Sequence, residues 1–275
     1  MISEIKDQKT ADAFATSWNN LPGGSIYKKD QFEDWFEPLQ KNDVVGKTVL
    51  ELGCGNGSLL VHMTTWEPSF LTGVDLGASV LACRKNMEAT GFPNYEVIKH
   101  DLTTFAGNSL FDVVYCIGVL HHLKNPIDGL ESVIRNTKPG GKFHCWVYAK
   151  EGNAVIRYIV DPIRKVASSL PWWFTKYFIA TPLTIPYFFY AKIISSSSIF
   201  RSFPLYDYSR WISKRSFLFF RHVAFDQLVT PQTIYVSKEM ILGWLKSFVE
   251  IDKSSVYIIF RNGNSWKFGG TKSHD

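Results

Sequence analysis

A short, mostly apolar run that ends in three closely spaced glycines constrains the fold more than any other feature of this sequence. The run is Thr48–Leu52, and Gly53, Gly55 and Gly57 follow it directly. A run of this length and composition predicts a strand that is buried in a parallel sheet. Glycine lets the backbone turn sharply and approach a ligand without a Cβ atom in the way. The sequence therefore predicts a ligand-binding loop at the end of this strand.

Similar apolar runs recur along the chain at the spacing of an α/β domain. Further strands are expected at Phe70–Asp75, Tyr95–His100, Phe111–Cys116 and Lys142–Val147, with helices at Ser79–Thr90 and Pro126–Asn136. Strands that alternate with helices predict right-handed βαβ units and an open, twisted sheet. Near the C-terminus we expect a helix over Ser237–Ser247 capped by Ser237, strands at Val249–Asp252 and Val256–Phe260, and a turn at Asn262-Gly263.

Acidic residues stand at the ends of the first three predicted strands. Glu51 lies two residues before the first glycine, where it suits a ligand with a cationic amino-acid end. Asp75 ends the second strand and can accept charge-assisted hydrogen bonds from both hydroxyls of a ribose. Asp101 ends the third strand, where an acid can meet an adenine amino group. Because the carboxyl ends of parallel strands form the ligand crevice, the three acids predict one nucleoside-binding site.

The spacing of the glycines argues against a nicotinamide dinucleotide as the ligand. Dinucleotide-binding loops carry the pattern GxGxxG, which here would require a glycine at position 58. Ser58 occupies that position, and the third glycine is Gly57. An oxidoreductase with a Rossmann fold remains the alternative interpretation at this point.

The chain resembles the class I S-adenosylmethionine-dependent methyltransferases, particularly the small-molecule branch that includes ubiquinone- and menaquinone-biosynthesis enzymes. The resemblance covers residues 44–150 and rests on the segments VLELGCGNGSL, GVDLGASVL, KHDLTTF, FDVVYCIGVLHHLKNP and KPGGKF. It implies a Rossmann-like α/β fold, a mostly parallel seven-stranded sheet with helices on both faces, together with a mainly helical insertion. It also implies S-adenosylmethionine as the cofactor. No metal site is expected, because the four cysteines are widely spaced and form no CxxC pair.

The resemblance assigns roles to individual residues of the predicted site. It implies that the glycine loop and the three acids bind S-adenosylmethionine, with Leu76 beside Asp75 and with Leu102 next to the adenine. The backbone around Cys116 and Ile117 would face the methionine moiety. The implied cofactor site therefore comprises Glu51, Gly53, Cys54, Gly55, Asn56, Gly57, Asp75, Leu76, Asp101, Leu102, Cys116 and Ile117.

Two adjacent histidines are the candidate catalytic residues. His121 and His122 follow the fourth strand at the mouth of the predicted site, where a neutral imidazole suits a general base. The alternative is that one of them makes a structural hydrogen bond. The family's amino-methylating enzymes often carry [DNS]-PP-[YFW] after this strand, whereas this chain has Cys116-Ile117-Gly118-Val119. This difference favours oxygen or carbon as the methylated atom.

A change in composition divides the chain into four parts. We expect a helical N-terminal cap at 1–43, the cofactor-binding core at 44–150, an inserted element at 151–222, and a final helix with closing strands at 223–275. The insertion contains ten Lys or Arg residues against three acids, and 18 of the 42 aromatic residues of the chain. The aromatic residues of the N-terminal part are expected to pack against the sheet or to cover the cofactor pocket; they are Phe14, Trp18, Tyr27, Phe32, Trp35 and Phe36.

The insertion is open to four interpretations. It can be a helical cap whose aromatic residues are buried, a lid that lines an apolar acceptor pocket, or an element that lies on an anionic membrane surface. Nucleic acid ranks last, because no RNA- or DNA-binding module accompanies the basic residues. The fifteen uncharged residues between Lys176 and Lys192 include two prolines and are too few to span a bilayer, which takes about 20 apolar residues.

The remaining sequence features indicate where the protein is located and which partners it has. The four cysteines form no CxxC pair, and the N-terminus lacks the pattern of a signal peptide. We therefore expect reduced thiols and a cytoplasmic protein that can lie peripheral to a membrane. The expected partner is a hydrophobic or amphipathic small-molecule acceptor. A membrane-associated protein that binds S-adenosylmethionine without turnover is a further alternative.

Overall fold

The computed structural model describes residues 8–15 and 27–274, and its centre is a seven-stranded sheet. The strands are β1 (Thr48–Leu52), β2 (Phe70–Asp75), β3 (Tyr95–Lys99), β4 (Phe111–Ile117), β5 (Thr137–Tyr148), β6 (Tyr257–Arg261) and β7 (Ser265–Thr271). Their order is β3-β2-β1-β4-β5-β7-β6, and all pairs are parallel except those of β7. The order reverses between β1 and β4, which places a ligand crevice at their carboxyl ends.

Helices cover the two faces of the sheet. Those of the core are α1 (8–15), α2 (Lys29–Phe36), α3 (Ser58–Met63), α4 (Val80–Glu88) and α5 (Pro126–Asn136). The inserted part contains α6 (Asp161–Ala167), α7 (Trp172–Phe174), α8 (Thr181–Ile194), α9 (Tyr206–Ile212) and α10 (Phe217–Val229), and α11 (Lys238–Ser247) follows. Short 3-10 turns lie at Lys41–Asp43, Thr64–Trp66, Leu120–His122 and Ser198–Phe200, and wider π-helical turns at Ile156–Val160 and Thr175–Ala180. The predicted fold class is confirmed.

Most predicted elements form, but one strand was wrong. Residues 249–252 make only an isolated bridge between Ile251 and Lys272, and Val249 is 85 % exposed. The reason is that β7 already pairs with β5 on one side and with β6 on the other. The predicted turn at Asn262-Gly263 does form, and both residues have positive φ angles, as a tight hairpin requires. Ser237 caps α11 as predicted, because its Oγ accepts a hydrogen bond from the Met240 amide.

The N-terminal aromatic residues take both of the expected roles. Phe32, Trp35 and Phe36 of α2 are buried in a core on one face of the sheet. Phe14 and Tyr27 line the cavity that is described in the next section. Trp35 packs in the core and also lines this cavity. Trp18 lies outside the described residues.

The inserted element is helical, as expected, but its end differs from the predicted boundary. The division between residues 222 and 223 falls inside α10, which is one continuous helix. The helical backbone continues from the π-helical turn at Ile156–Val160 directly into α6, whose second residue is Pro162. The described segments 8–15 and 27–274 include no helix that is long and apolar enough to cross a membrane.

Candidate active site

The loop after β1 is held in place by the carboxylate of Asp75 at the end of β2. One carboxylate oxygen accepts a hydrogen bond of 2.9 Å from the Gly55 amide. The other accepts bonds from the Gly77 amide, at 2.8 Å, and from the Ser79 hydroxyl, at 3.0 Å. The glycine loop and the loop after β2 therefore meet at one carboxylate, which fixes the shape of the crevice between them.

Glycine is sterically required in this loop at positions 53 and 57. Both residues have φ angles in the left-handed region, +86° for Gly53 and +80° for Gly57. A Cβ atom on Gly53 would lie 2.4 Å from a methyl group of Val119, and one on Gly57 would lie 2.6 Å from the sulfur of Cys83. The backbone of β1 thus passes into α3 against the walls of the crevice with no room for a side chain.

Glu51 supplies a buried acid at the base of the crevice. Its side chain accepts a 3.0 Å hydrogen bond from the phenol of Tyr115, and the residue is only 2 % exposed. Burial raises the pKa of Glu51 to about 8, although the Tyr115 hydrogen bond acts in the opposite direction. A cationic group placed beside this carboxyl would favour its ionised form.

Asp101 and Leu102 close the crevice from the end of β3. One oxygen of Asp101 accepts hydrogen bonds from the amide and the hydroxyl of Thr103, at 2.8 and 2.7 Å. Leu102 is buried in the core beneath them. The arrangement presents a polar acceptor and an apolar surface side by side.

These features border one cavity of about 460 Å³, a size typical of small-molecule sites. Ten of the predicted site residues line it: Glu51, Gly53, Cys54, Gly55, Asp75, Leu76, Asp101, Leu102, Ile117 and His122. The geometry therefore brings the predicted acids to one wall, as expected from the strand order.

Four predicted residues do not line the cavity: Asn56, Gly57, Cys116 and His121. Cys116 and Ile117 are neighbours in β4, so their side chains point to opposite faces of the sheet. Cys116 is accordingly packed in the opposite core. Asn56 accepts hydrogen bonds from the amide and hydroxyl of Ser58, which places it under the loop. For these four residues, contact with the cofactor stays a prediction, and for Cys116 the predicted contact is through the backbone.

The two candidate catalytic histidines are buried. Neither ring nitrogen of His121 has a hydrogen-bond partner among the residues that the structure describes, and burial holds its pKa well below the usual value. In His122, Nδ1 lies 2.9 Å from the carbonyl oxygen of Gln232. Burial lowers the pKa of His122 to about 4. His122 thus has the structural hydrogen bond of the alternative interpretation, while its ring also borders the cavity.

The far wall of the cavity comes from the insertion, and sequence patterns alone did not reveal its members. Its polar side chains include His222, Asp226 and Gln227 of α10, together with Tyr187 of α8 and Tyr208 of α9. The apolar part of that wall is formed by Val155, Ile156, Ile159, Val160, Ile163, Leu183, Trp211, Ile212, Phe219 and Phe220, among others. The available signal was the aromatic composition of the segment, which marks the element but not the inward-facing residues.

Among the described residues there is no group of three His, Cys, Asp or Glu side chains that could hold a metal ion. Cys54, Cys83, Cys116 and Cys145 are all buried free thiols. The polar chemistry of the site therefore rests on carboxylates, phenols and imidazoles.

A sheet of this order with a glycine loop at the end of its first strand defines a Rossmann-like methyltransferase fold. The solved N-methyltransferase NodS from Bradyrhizobium japonicum WM9, in complex with S-adenosyl-L-homocysteine, shares the fold with a TM-score of 0.53. The match covers 96 % of this chain and 99 % of that one at 11 % sequence identity.

Sequence relatives carry two different names. The tRNA U34 carboxymethyltransferase of Desulfotalea psychrophila is 34 % identical over 38 % of this chain, and the ubiquinone biosynthesis O-methyltransferase of Pseudomonas paraeruginosa is 32 % identical over 40 %. This chain spans 34 % of the first protein and 47 % of the second.

A family model described as a methyltransferase domain matches residues 27–189, more than half of the chain. The protein belongs to this family, the S-adenosylmethionine-dependent methyltransferases of class I, and its cofactor is S-adenosylmethionine. The resemblance found in the sequence is confirmed, and the oxidoreductase alternative is wrong.

Proposed function

We propose that the protein transfers the methyl group of S-adenosylmethionine to oxygen or carbon of a hydrophobic or amphipathic small molecule. One observation carries the proposal: a single cavity runs from the carboxylates of Glu51 and Asp75 to the apolar wall of the insertion. Donor and acceptor can therefore lie end to end in one space, with the core on one side and the insertion on the other. Such enclosure aligns the reacting atoms and keeps water away from them.

The donor end fits a nucleoside with a cationic amino-acid tail. We infer that Glu51 faces the ammonium group, that Asp75 accepts hydrogen bonds from the ribose hydroxyls, and that Asp101 and Leu102 contact the adenine. Gly53 and Gly55 have no side chain, so the backbone of the loop can lie close to the cofactor. When bound, the cofactor supplies an electrophilic methyl group, so the chain needs only to hold and orient the partners.

The acceptor end of the cavity favours an apolar molecule that makes a few polar contacts. Aliphatic and aromatic side chains from α8, α9 and α10 form most of this wall, and the hydroxyls of Tyr187 and Tyr208 are buried there. A flat or branched apolar molecule with one or two hydroxyl or carbonyl groups matches such a wall. A highly charged acceptor would lose its hydration against a wall that is mostly apolar.

A tRNA acceptor is less compatible with this geometry, although one relative is named for tRNA modification. Nucleic-acid binding draws on many Lys and Arg contacts to phosphate groups. Here much of the insertion's surface is apolar, with Tyr158, Phe178, Phe189 and Ile199 each more than 60 % exposed. We therefore do not propose tRNA as the acceptor, but the experiment below includes tRNA so that methylation of it would be detected.

We further propose that the insertion rests on an anionic membrane surface. Along α8, Ile185, Phe189 and Ile193 are exposed at helical spacing, and Trp173, Phe174 and Phe178 form an exposed aromatic cluster before it. Exposed cations accompany them at Lys165, Lys192, Arg201, Arg210 and Lys214. Aromatic and basic side chains together are typical of interfacial binding to anionic lipid. Ile159 and Leu183 are exposed and also line the cavity, so an apolar acceptor could enter from this surface.

The donor assignment is tested by calorimetric titration with S-adenosylhomocysteine and with NADH. We expect the first alone to bind, and Gly55→Arg to abolish binding because Gly55 borders the cavity. For the acceptor, methyl-labelled S-adenosylmethionine is incubated with a cellular lipid extract and, separately, with bulk tRNA. Label in the organic phase supports the proposal. Label in tRNA alone, or binding without transfer to either fraction, contradicts it.

Membrane contact is tested by co-sedimentation with phosphatidylserine vesicles. Trp173→Ser, Phe178→Ser and Phe189→Ser are combined in one variant, which should lose most vesicle binding. The control combines Val45→Ser, Leu81→Ser and Val249→Ser, which remove exposed apolar side chains from the core. Lys176 is left unchanged, because it is buried with its ammonium group over the rings of Trp172, Tyr177 and Phe225. Equal sedimentation of the two variants would rule out this surface.

A further inference from the structure

A histidine and an aspartate on α10 face the cavity as a hydrogen-bonded pair. Nε2 of His222 lies 2.9 Å from a carboxylate oxygen of Asp226, one helical turn later. Both side chains line the cavity and are partly exposed, at 15 % and 22 %. Such a pair costs free energy to bury, and most of the surrounding wall is apolar. Because the pair lies in the wall of the cavity where methyl transfer is proposed, it is a candidate for a chemical role.

The contact with Asp226 determines which nitrogen of His222 carries the proton of the neutral ring. A carboxylate only accepts, so Nε2 carries the proton that is donated to Asp226. Nδ1 then holds the lone pair of the neutral ring. Within 8–15 and 27–274 no residue forms a hydrogen bond to Nδ1. The ring is thus oriented through Nε2 and keeps its lone pair on Nδ1.

The pair lies close to the residues of the donor end. Burial, followed by the charge of Asp226, raises the pKa of Tyr27, and Glu51 contributes to the same shift. Tyr27 is therefore within electrostatic range of both carboxylates. Burial and then Asp226 also raise the pKa of Tyr148. The charged and titratable groups around the pair are Arg164 of α6, Lys176 after α7, Arg221 of α10, and Tyr27, His122 and Tyr148 from the core.

We propose that His222, oriented by Asp226, is the general base that removes the proton from an acidic hydroxyl group of the acceptor. This inference rests on the proposed function and narrows its acceptor to a phenol or an enol. The hydroxyl oxygen forms the new bond to the methyl carbon. That carbon leaves the sulfonium sulfur, which keeps the electron pair of the broken bond. The hydroxyl proton moves to Nδ1 of His222, and the carboxylate of Asp226 stabilises the resulting imidazolium.

The histidines predicted from the sequence are less suited to this duty. His121 does not border the cavity, and the low pKa of His122 makes its imidazole a weak base. His222 differs from both because its ring borders the cavity and is oriented by a carboxylate 2.9 Å away. The base is therefore supplied by the insertion, on the acceptor side.

The first test is spectroscopic and needs no turnover. 4-Nitrophenol is titrated with base while bound to the protein saturated with S-adenosylhomocysteine, and ionisation is followed by absorbance. When the phenol proton moves to Nδ1 of His222, phenolate absorbance should appear roughly 1 pH unit below its midpoint in free solution. His222→Gln should remove this shift. Leu218→Gln, an exposed position one turn earlier on α10, should retain it. An unchanged shift in His222→Gln overturns the proposal.

The second test compares two phenols of similar size but different acidity. With 4-methylphenol, which must lose its proton to react, His222→Gln should reduce kcat/KM by about 10²–10⁴-fold. With the more acidic 4-nitrophenol the loss should be less than about tenfold. Asp226→Asn should show the same ordering with smaller losses. Equal losses for the two phenols would assign His222 a structural role and overturn the proposal.

The outcomes separate this inference from the proposed function. Failure of S-adenosylhomocysteine to bind the unaltered protein contradicts the proposed function itself. Binding of S-adenosylhomocysteine without binding of either phenol leaves the donor assignment in place and overturns the phenolic acceptor together with its base. Intact S-adenosylhomocysteine binding by His222→Gln and Asp226→Asn verifies that both variants are folded.

Discussion

The phenol of Tyr115 donates a 3.0 Å hydrogen bond to Oε2 of Glu51, and both side chains are buried. The two residues face each other on the paired strands β1 and β4, where Glu51 and Tyr115 are in register. The bond orients the carboxyl group toward the cavity. It also supports the ionised form of Glu51 against the effect of burial.

Donor affinity should therefore depend on the protonation of Glu51. Without a ligand its pKa is raised to about 8, so the group is mostly protonated at pH 7. A cationic amino group beside it requires the ionised form, and binding should release close to one proton. We expect affinity for S-adenosylhomocysteine to rise by up to about tenfold per pH unit between pH 6 and 7.5.

Calorimetry at pH 7 in buffers of different ionisation enthalpy measures the released proton directly. Glu51→Gln should bind more weakly and release none. Tyr115→Phe should raise the pKa of Glu51 further and move the pH dependence to higher pH. Binding by the unaltered protein without proton release would contradict this role of Glu51.

Gly53→Ala should damage the site through a steric clash. The new Cβ atom would lie 2.4 Å from Val119, and the positive φ angle itself costs roughly 1–2 kcal/mol for a residue other than glycine. Gly46→Ala is a matched control, since Gly46 also has a positive φ angle but open space around it. Both variants should lose thermal stability, but only Gly53→Ala should weaken S-adenosylhomocysteine binding by more than tenfold. Equal binding by the two would refute the steric explanation.

Asp75→Asn should weaken cofactor binding by about 10- to 100-fold. The substitution removes the charge that is proposed to hold the ribose hydroxyls, and hydrogen bonds to a charged group contribute about 1.5–3 kcal/mol. Ser79→Ala removes only one hydrogen bond to the same carboxylate and should cost a few-fold. Titration of both variants with S-adenosylhomocysteine distinguishes the two contributions. A larger effect for Ser79→Ala would mean that Asp75 acts mainly on loop structure.

Stability should fall between pH 6.5 and about 4 because buried histidines resist protonation. Burial lowers the pKa of His144 to about 4, while the unfolded residue keeps a value near 6.5. Between these values the unfolded chain binds the proton and the folded chain does not, so acid favours unfolding. His144→Gln should flatten the dependence of unfolding free energy on pH by up to about 1.4 kcal/mol per unit. Urea titrations at pH 7 and 5 measure this difference, and the exposed His100→Gln should leave it unchanged.

The sheet and the donor end could be predicted because their signals are local. Each strand end carries its acid or glycine within a few residues, and the sheet brings those ends together. Alternation along β4 places the side chain of Ile117 on the cavity side and that of Cys116 in the opposite core, and the implied contact of their backbone with the cofactor stays a prediction. The predicted strand at 249–252 failed because its possible partner, β7, is already paired on both sides.

The acceptor end could not be predicted, since it depends on contacts between distant segments. Tyr187, Tyr208 and His222 belong to three different helices, and nothing in their spacing shows that they face one space. Apolar residues lie on all sides of α10. The sequence of this helix therefore does not show which side faces the cavity. Composition identified the element, and only packing identified its residues.

The turn that follows α10 is joined to the turn after β4 by several hydrogen bonds. The Ile234 amide bonds to the carbonyl of His121, the Gln232 amide group bonds to the carbonyl of Leu123, and His122 bonds to the carbonyl of Gln232. Lifting the insertion to exchange the acceptor would pull on the segment that borders the donor. Binding and release of the donor and the acceptor are therefore expected to be coupled. Steady-state kinetics should show a preferred order of substrate addition and product release.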